Sequence, residues 1–200
     1  MSQPNPTRAL IVVFDALRPE FVTPELMPHL HGFAARGVRC LNSRSTFPSE
    51  TRVNQSAVTT GCYPRRHGVV ANNFVVAGDD GPMVLTTGDD VAFEKALNAM
   101  SGPLLQAPTL GQRLAEAGKS YATISAGTSG GGRLINIAGA ETGSFRFSMR
   151  RPDASLPAGV ENRIIETAGP LPDHSLPAID WVSYAVDCYL GYVETGVRPD

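Results

Sequence analysis

The sequence predicts an α/β fold: a three-layer α/β/α sandwich around a mostly parallel sheet, incomplete at its C-terminal end. Three observations predict it. Residues 9–14, ALIVVF, form an unbroken apolar run rich in β-branched side chains and ending at Asp15. Such a run suits a strand buried on both faces, as parallel sheets require. From Pro24 to Gly37, Leu26, Leu30, Phe33 and Ala34 fall on one helical face, with proline near the start and glycine as the stop. Val38 to Leu41 then reads as a short strand. A β-α-β opening of this kind belongs to layered α/β domains.

The next elements follow from local signals. Thr51 to Thr60 reads as a helix with Gly61 just past its end and Val53, Ala57 and Thr60 facing inward. Pro48 stands before it, where a helix interior would not tolerate it. Residues 74–103 read as an irregular excursion, because Asn72-Asn73, Gly78-Asp-Asp-Gly and Gly88-Asp-Asp are turn signals. Thr109 caps a predicted helix through Gly118, with Leu110, Leu114 and Ala117 inward. Tyr121 to Ser125 is a strand, followed by the loop Gly127-Thr-Ser-Gly-Gly-Gly132. Residues 141–178 hold several prolines and few periodic stretches, and read as loops and an insertion. Asp180 to Val193 is a helix, with Trp181, Tyr184, Ala185, Cys188 and Tyr192 recurring every three or four residues.

Composition narrows the function classes. At 200 residues the chain is one domain or a portion of one. It is 42% hydrophobic and 18% charged, enough for a core and unlike a disordered chain. A net charge of -2 gives no electrostatic basis for binding nucleic-acid polymers or acidic membranes. Cys40, Cys62 and Cys188 are odd in number and lack CxxC spacing, so neither a disulfide framework nor a cysteine zinc site is expected. The first apolar run is too short for a signal peptide, and no stretch reaches membrane-spanning length. A cytoplasmic location is the expectation.

Two residues invite chemistry. Asp15 closes the first predicted strand, at the sheet edge where ligands gather in α/β folds. Its carboxylate is a hard oxygen ligand for a divalent metal, or a plain turn residue. Thr51 opens a helix, where the backbone N–H groups and dipole favour negative charge. It is therefore either a simple N-cap or an alcohol nucleophile. Thr46, five residues earlier in Thr46-Phe-Pro-Ser, competes for the second role.

The order of motifs resembles the N-terminal half of the alkaline phosphatase superfamily. It is most similar to the type I phosphodiesterases and nucleotide pyrophosphatases. The segments that carry the resemblance are VVFDALRPEFV, MPHLHGFAARGV and TTGCYPRRHGVVANN. It covers residues 9–73 well and residues 74–200 thinly. The family keeps a ten-residue step from nucleophile to the glycine of Thr-Gly, and ten residues before Gly61 stands Thr51. The resemblance thus implies Thr51 as catalytic nucleophile and metal-bound oxygen, with Thr46 a decoy. It implies Asp15 as a metal ligand and Asn72 as a hydrogen-bond donor to a phosphate oxygen. Asn54 is placed to orient Thr51. Arg52 either approaches the anionic substrate or lies solvated on the helix. His67 is expected to be structural, and Asp173-His174 lacks the family's setting for a ligand pair.

What the resemblance implies about activity is a metal-dependent hydrolase of phosphodiester or pyrophosphate bonds, acting on a small-molecule phosphoester through a phosphothreonine. A phosphonate, phosphomonoester or sulfate ester hydrolase of the same superfamily is the alternative, as is an inactive fragment. The cofactor implied is a pair of divalent metal ions, with zinc expected. The family's further ligands, Asp-x-x-x-His, Asp-His and a late histidine, are not found in the sequence. Residues 1–200 are therefore expected to be the N-terminal portion of a longer catalytic domain, with the remaining ligands beyond residue 200.

Overall fold

The computed structural model describes residues 8–88 and 90–199. It is an α/β structure that divides into two units, one of residues 9–45 and one of Arg8 with residues 46–199.

In the smaller unit, the predicted helix is shorter than its periodic pattern. Helix α1 spans Pro28–Ala35, with Pro28 in the first turn. Proline is suited there, because its missing N–H has no intrahelical partner to lose. The chain before it turns around Thr23, whose hydroxyl accepts the Leu26 N–H at 3.2 Å. The apolar run 9–14 is not a strand, and neither is 38–41. Leu10 to Phe14 are 50–68% exposed and Val38 is 93% exposed. The physical reason is pairing: composition favours an extended chain, but a strand exists only where a second strand takes its N–H and C=O groups. Among the described residues no strand pairs with either segment.

The larger unit opens with helix α2, Thr51–Thr60, and the one-turn helix α3, Pro64–His67. Strands β1 (Asn73–Gly78) and β2 (Gly81–Thr86) follow, antiparallel, with Asn73 opposite Thr86 and Gly78 opposite Gly81. The region expected to be irregular is therefore a hairpin followed by helix α4, Asp90–Asn98. Its Gly78-Asp-Asp-Gly turn signal is the two-residue hairpin loop itself. A side chain at Gly78 would stand 2.9 Å from Met83 Sδ and 3.0 Å from the Gly81 carbonyl oxygen, so the tight turn requires glycine.

Helix α5, Leu110–Glu116, begins with a reciprocal cap between Thr109 and Gln112. Strand β3, Ala122–Ser125, pairs in parallel with β4, Phe145–Ser148. Helix α6 (Ser129–Leu134) and the short α7 (Gly139–Thr142) connect them. Strand β4 and helix α8, Val160–Ala168, lie in the stretch expected to be loops. All four side chains of β4 are buried, including Arg146, so an alternating polar pattern could not reveal it. Helix α9, Ile179–Cys188, runs on into a π-helical segment, Tyr189–Val197. Its predicted stripe holds: Trp181, Tyr184 and Cys188 are buried.

Two apolar clusters organise this unit. One gathers Phe145, Phe147, Met149, Val160, Ile164, Trp181, Tyr184, Cys188 and Val193 around β4. The other gathers Val53, Val69, Leu85, Phe93, Ala96, Leu104, Leu105 and Leu134 around α2 and the hairpin. Helix α6 is built from the Ser-Gly-Gly-Gly sequence expected to be a loop. Three glycines cost helix propensity, yet each lets the backbone approach something. A Cβ on Gly130 would stand 1.8 Å from the Thr87 carbonyl oxygen, one on Gly131 2.7 Å from Arg52 Nη1, and one on Gly132 2.8 Å from Ser125 Cβ. Close packing on three sides stabilises a helix that composition disfavours.

Candidate active site

Helix α2 positions the residues of interest. Glu50 precedes it in extended conformation, Thr51 is its first residue, and Gly61 ends it in the left-handed region at φ 66°. The Gly61 N–H donates to the Ala57 carbonyl at 2.8 Å, closing the last turn. The face it buries is Arg52, Val53, Ser56, Thr59 and Thr60. Thr51 is half-buried, at the end where the dipole favours negative charge.

Asn72 caps this helix from outside it. Its carboxamide oxygen accepts the Arg52 N–H at 3.0 Å, and its backbone N–H donates to the Glu50 carboxylate. Its carbonyl oxygen accepts the Thr87 N–H at 3.3 Å and the Thr87 hydroxyl at 2.6 Å. With the amide oxygen turned to the helix, the two Nδ2 hydrogens are the donors Asn72 offers in other directions. The structure thus brings Asn72 to the helix end that Thr51 opens. The turn that returns the chain uses Gly68 at φ 87°, where a Cβ would also press on the Gln106 side chain at 3.1 Å.

The other two helix residues are differently engaged. The Asn54 carboxamide oxygen accepts the Thr46 N–H at 2.9 Å and the Thr46 hydroxyl at 3.2 Å. Its Nδ2 donates to the Glu50 carbonyl at 3.0 Å. Asn54 therefore holds Thr46 at the entry to the helix. Arg52 is buried, with its guanidinium donating to Gln55 Oε1 at 2.9 Å and to the Thr128 hydroxyl. It ties α2 to the start of α6.

Sequence reasoning missed Glu50 and Thr128 as partners in this arrangement. An acidic residue at a helix start is a readable signal for Glu50. Thr128 lies far along the chain from Arg52, and nothing local marks it.

His67 is fully buried. Its Nδ1 accepts the Val69 N–H at 3.2 Å, which puts the ring proton on Nε2, and burial lowers its pKa below the usual histidine range. That is a packed, neutral imidazole. Asp15 lies exposed in a turn of the smaller unit, just after the apolar run. Among the described residues no group of three His, Cys, Asp or Glu side chains gathers as a metal site would need. Asp15 and Thr51 offer hard oxygen donors, but they do not by themselves make a complete set.

The family model for type I phosphodiesterase / nucleotide pyrophosphatase matches residues 9–142. The chain belongs to this family. Its matches include bis(5'-adenosyl)-triphosphatase ENPP4 of Bos taurus, 33% identical over 72 residues, covering 36% of this chain and 16% of the relative. Ectonucleotide pyrophosphatase/phosphodiesterase family member 5 of Homo sapiens is 31% identical over 71 residues, 36% of this chain and 15% of the relative. An uncharacterized pyrophosphatase/phosphodiesterase of Schizosaccharomyces pombe is 34% identical over 65 residues, 32% of this chain and 13% of the relative. The chain thus aligns with only a small part of each of these relatives. No solved structure matches it. The matched span contains Asp15, Thr51, Arg52, Asn54 and Asn72. No helix among the described residues is long and apolar enough to cross a membrane.

Proposed function

We propose that this chain carries the nucleophile-bearing part of a metal-dependent hydrolase of phosphodiester and pyrophosphate bonds, acting on small nucleotide-type substrates. The observation that supports this best is Thr51 at the first position of helix α2, with Asn72 fastened to the same helix end, inside the span the family model matches. The names of the relatives point to nucleotide pyrophosphate substrates for those proteins, and the same class is proposed here.

The Thr51 hydroxyl oxygen attacks phosphorus as its proton passes to solvent, which in turn protonates the leaving oxygen. A P–O bond to threonine forms, the bond to the leaving group breaks, and water later hydrolyses the phosphothreonine. The helix N-terminus favours the negative charge that develops at Thr51. The Nδ2 hydrogens of Asn72 are donors of the right kind for a non-bridging oxygen. Arg52 acts by fixing helix α2 against α6. Two divalent ions, zinc expected, are part of the proposal. Such ions, when bound, supply the Lewis acidity that makes a hydroxyl nucleophilic near neutral pH. Asp15 and Thr51 are the donors proposed from this chain, with the rest of the set outside the described cluster of residues. A cytoplasmic setting is also proposed, supported by three cysteines that are all unpaired.

The test is hydrolysis of bis-p-nitrophenyl phosphate by the full-length protein with zinc. Thr51→Ala is expected to abolish turnover and Thr46→Ala to leave it within a few-fold of wild type. Equal loss from Thr46→Ala overturns the assignment. A panel with phosphonate, phosphomonoester and sulfate esters reads out the substrate class.

A further inference from the structure

A cleft lies at the C-terminal end of β4. Ser129 and Arg133 of α6, Arg146 and Ser148 of β4, and Arg151 and Ala154 just beyond line a narrow cleft of about 10 Å³. Arg146 is buried, and its guanidinium is aimed by bonds to the carbonyl oxygens of Asn136 at 3.0 Å and Ala154 at 3.1 Å. The Arg151 guanidinium holds Asp153 in two bonds of 2.9 and 2.8 Å. Arg133 reaches Glu94 at 3.3 Å. Two carboxylates thus face three guanidiniums, and neither carboxylate lines the cleft.

Two buried donors there are unsatisfied. Ser148 is 5% exposed and its hydroxyl has no hydrogen-bond partner; the Arg133 Nε has none either. Buried polar groups in folded proteins nearly always have partners, and the Ser148 hydroxyl and Arg133 Nε are donors that an acceptor in the cleft would satisfy. The lining explains what would be accepted. Guanidiniums only donate, and the two serines can do so. Three guanidiniums give the lining an excess of positive charge and of donors, which an oxyanion, negatively charged and all acceptor, matches better than neutral water. A volume of about 10 Å³ admits a single oxygen-sized group.

We propose that this cleft binds a tetrahedral oxyanion of the phosphate class. One oxygen enters between Arg146 and Ser148, and the rest of the group rests at the mouth beside Arg133 and Arg151. The proposal stands apart from the Thr51 reading, since it needs neither the nucleophile nor a metal.

The experiment is thermal denaturation of the full-length protein in EDTA, titrated with inorganic phosphate against chloride of matched ionic strength. Phosphate is expected to raise the melting temperature in a saturable way that chloride does not. Ser148→Ala removes a charge-assisted hydrogen bond and is expected to weaken the apparent Kd about tenfold. Arg151→Gln, a more exposed change at the rim, is expected to act in the same direction and carries the test if Ser148→Ala does not fold. Thr51→Ala is expected to leave the effect intact, which separates this site from the candidate active site. Glycerol phosphate in place of phosphate distinguishes a site for the free ion from one that takes a phosphorylated small molecule. An equal rise in chloride, or one undiminished in both variants, means that the cleft holds water only and overturns the proposal.

Discussion

The carboxamide oxygen of Asn54 accepts both the backbone N–H and the hydroxyl of Thr46, at 2.9 and 3.2 Å. One helical residue thereby anchors the segment that enters the helix, and the Thr46 hydroxyl proton already has an acceptor. This is a structural role for the threonine whose neighbours most resemble a nucleophile motif.

Asn54→Ala should therefore loosen the entry to α2. It removes acceptors for the Thr46 N–H and hydroxyl and a donor to the Glu50 carbonyl. The expected cost is about 1–2 kcal/mol by urea denaturation. Thr46→Ala should cost less, and the two changes together less than their sum, because they share one contact. Strict additivity would show that the bond contributes nothing.

Asn72 should separate stability from activity. Asn72→Asp keeps an oxygen for the Arg52 N–H but loses the Nδ2 donors and brings a negative charge. Its unfolding midpoint is expected near wild type, while turnover falls about a hundredfold or more. Asn72→Ala loses the cap as well, and should also destabilise by about 1 kcal/mol. Full activity in Asn72→Asp would remove Asn72 from the proposed site.

Glycine-to-alanine changes in α6 should run against helix propensity. Gly130→Ala puts a methyl on the Thr87 carbonyl oxygen, at 1.8 Å before any relaxation. The helix has to move off the hairpin end, and a loss of about 3 kcal/mol or more is expected. Gly127→Ala is the control: the nearest atom to its Cβ is Ser125 Oγ at 3.8 Å, an ordinary contact. Circular dichroism melts of the two variants make the comparison.

His67 should make stability fall in mild acid. Burial lowers its folded-state pKa from the reference of 6.5, so the unfolded chain binds the proton more readily. Its contribution is complete above about pH 6.5 and is lost as pH falls below that value towards the folded pKa. Urea midpoints between pH 8 and 5.5 should decline in wild type. His67→Gln should flatten that decline, whatever its own baseline stability. An unchanged slope in His67→Gln would place the pH response elsewhere.

Helix α2 was legible from sequence because its signals are local: Pro48 before it, Thr51 to open it, Gly61 to take the left-handed turn. The Trp181, Tyr184, Cys188 stripe and the Thr109 cap were legible for the same reason. The hairpin 73–86 was half legible, since its turn stood out and its strands did not. The apolar run 9–14 misled as to structure, because pairing is a property of two segments and hydrophobicity of one.

What the amino-acid order determined by itself was the family, through the Thr-Gly to His-Gly motif at fixed spacing and the segments before it. Only the tertiary structure decided what the side chains do. It turned Asn54 to Thr46, set Asn72 as a cap on α2, buried Arg52 against Thr128, and gathered three arginines around Ser148. Each of these joins residues through hydrogen bonds or packing across loops and elements. Spacing along a chain reports which groups share a helix face; it carries no information about which distant donor will find which acceptor once the core has closed.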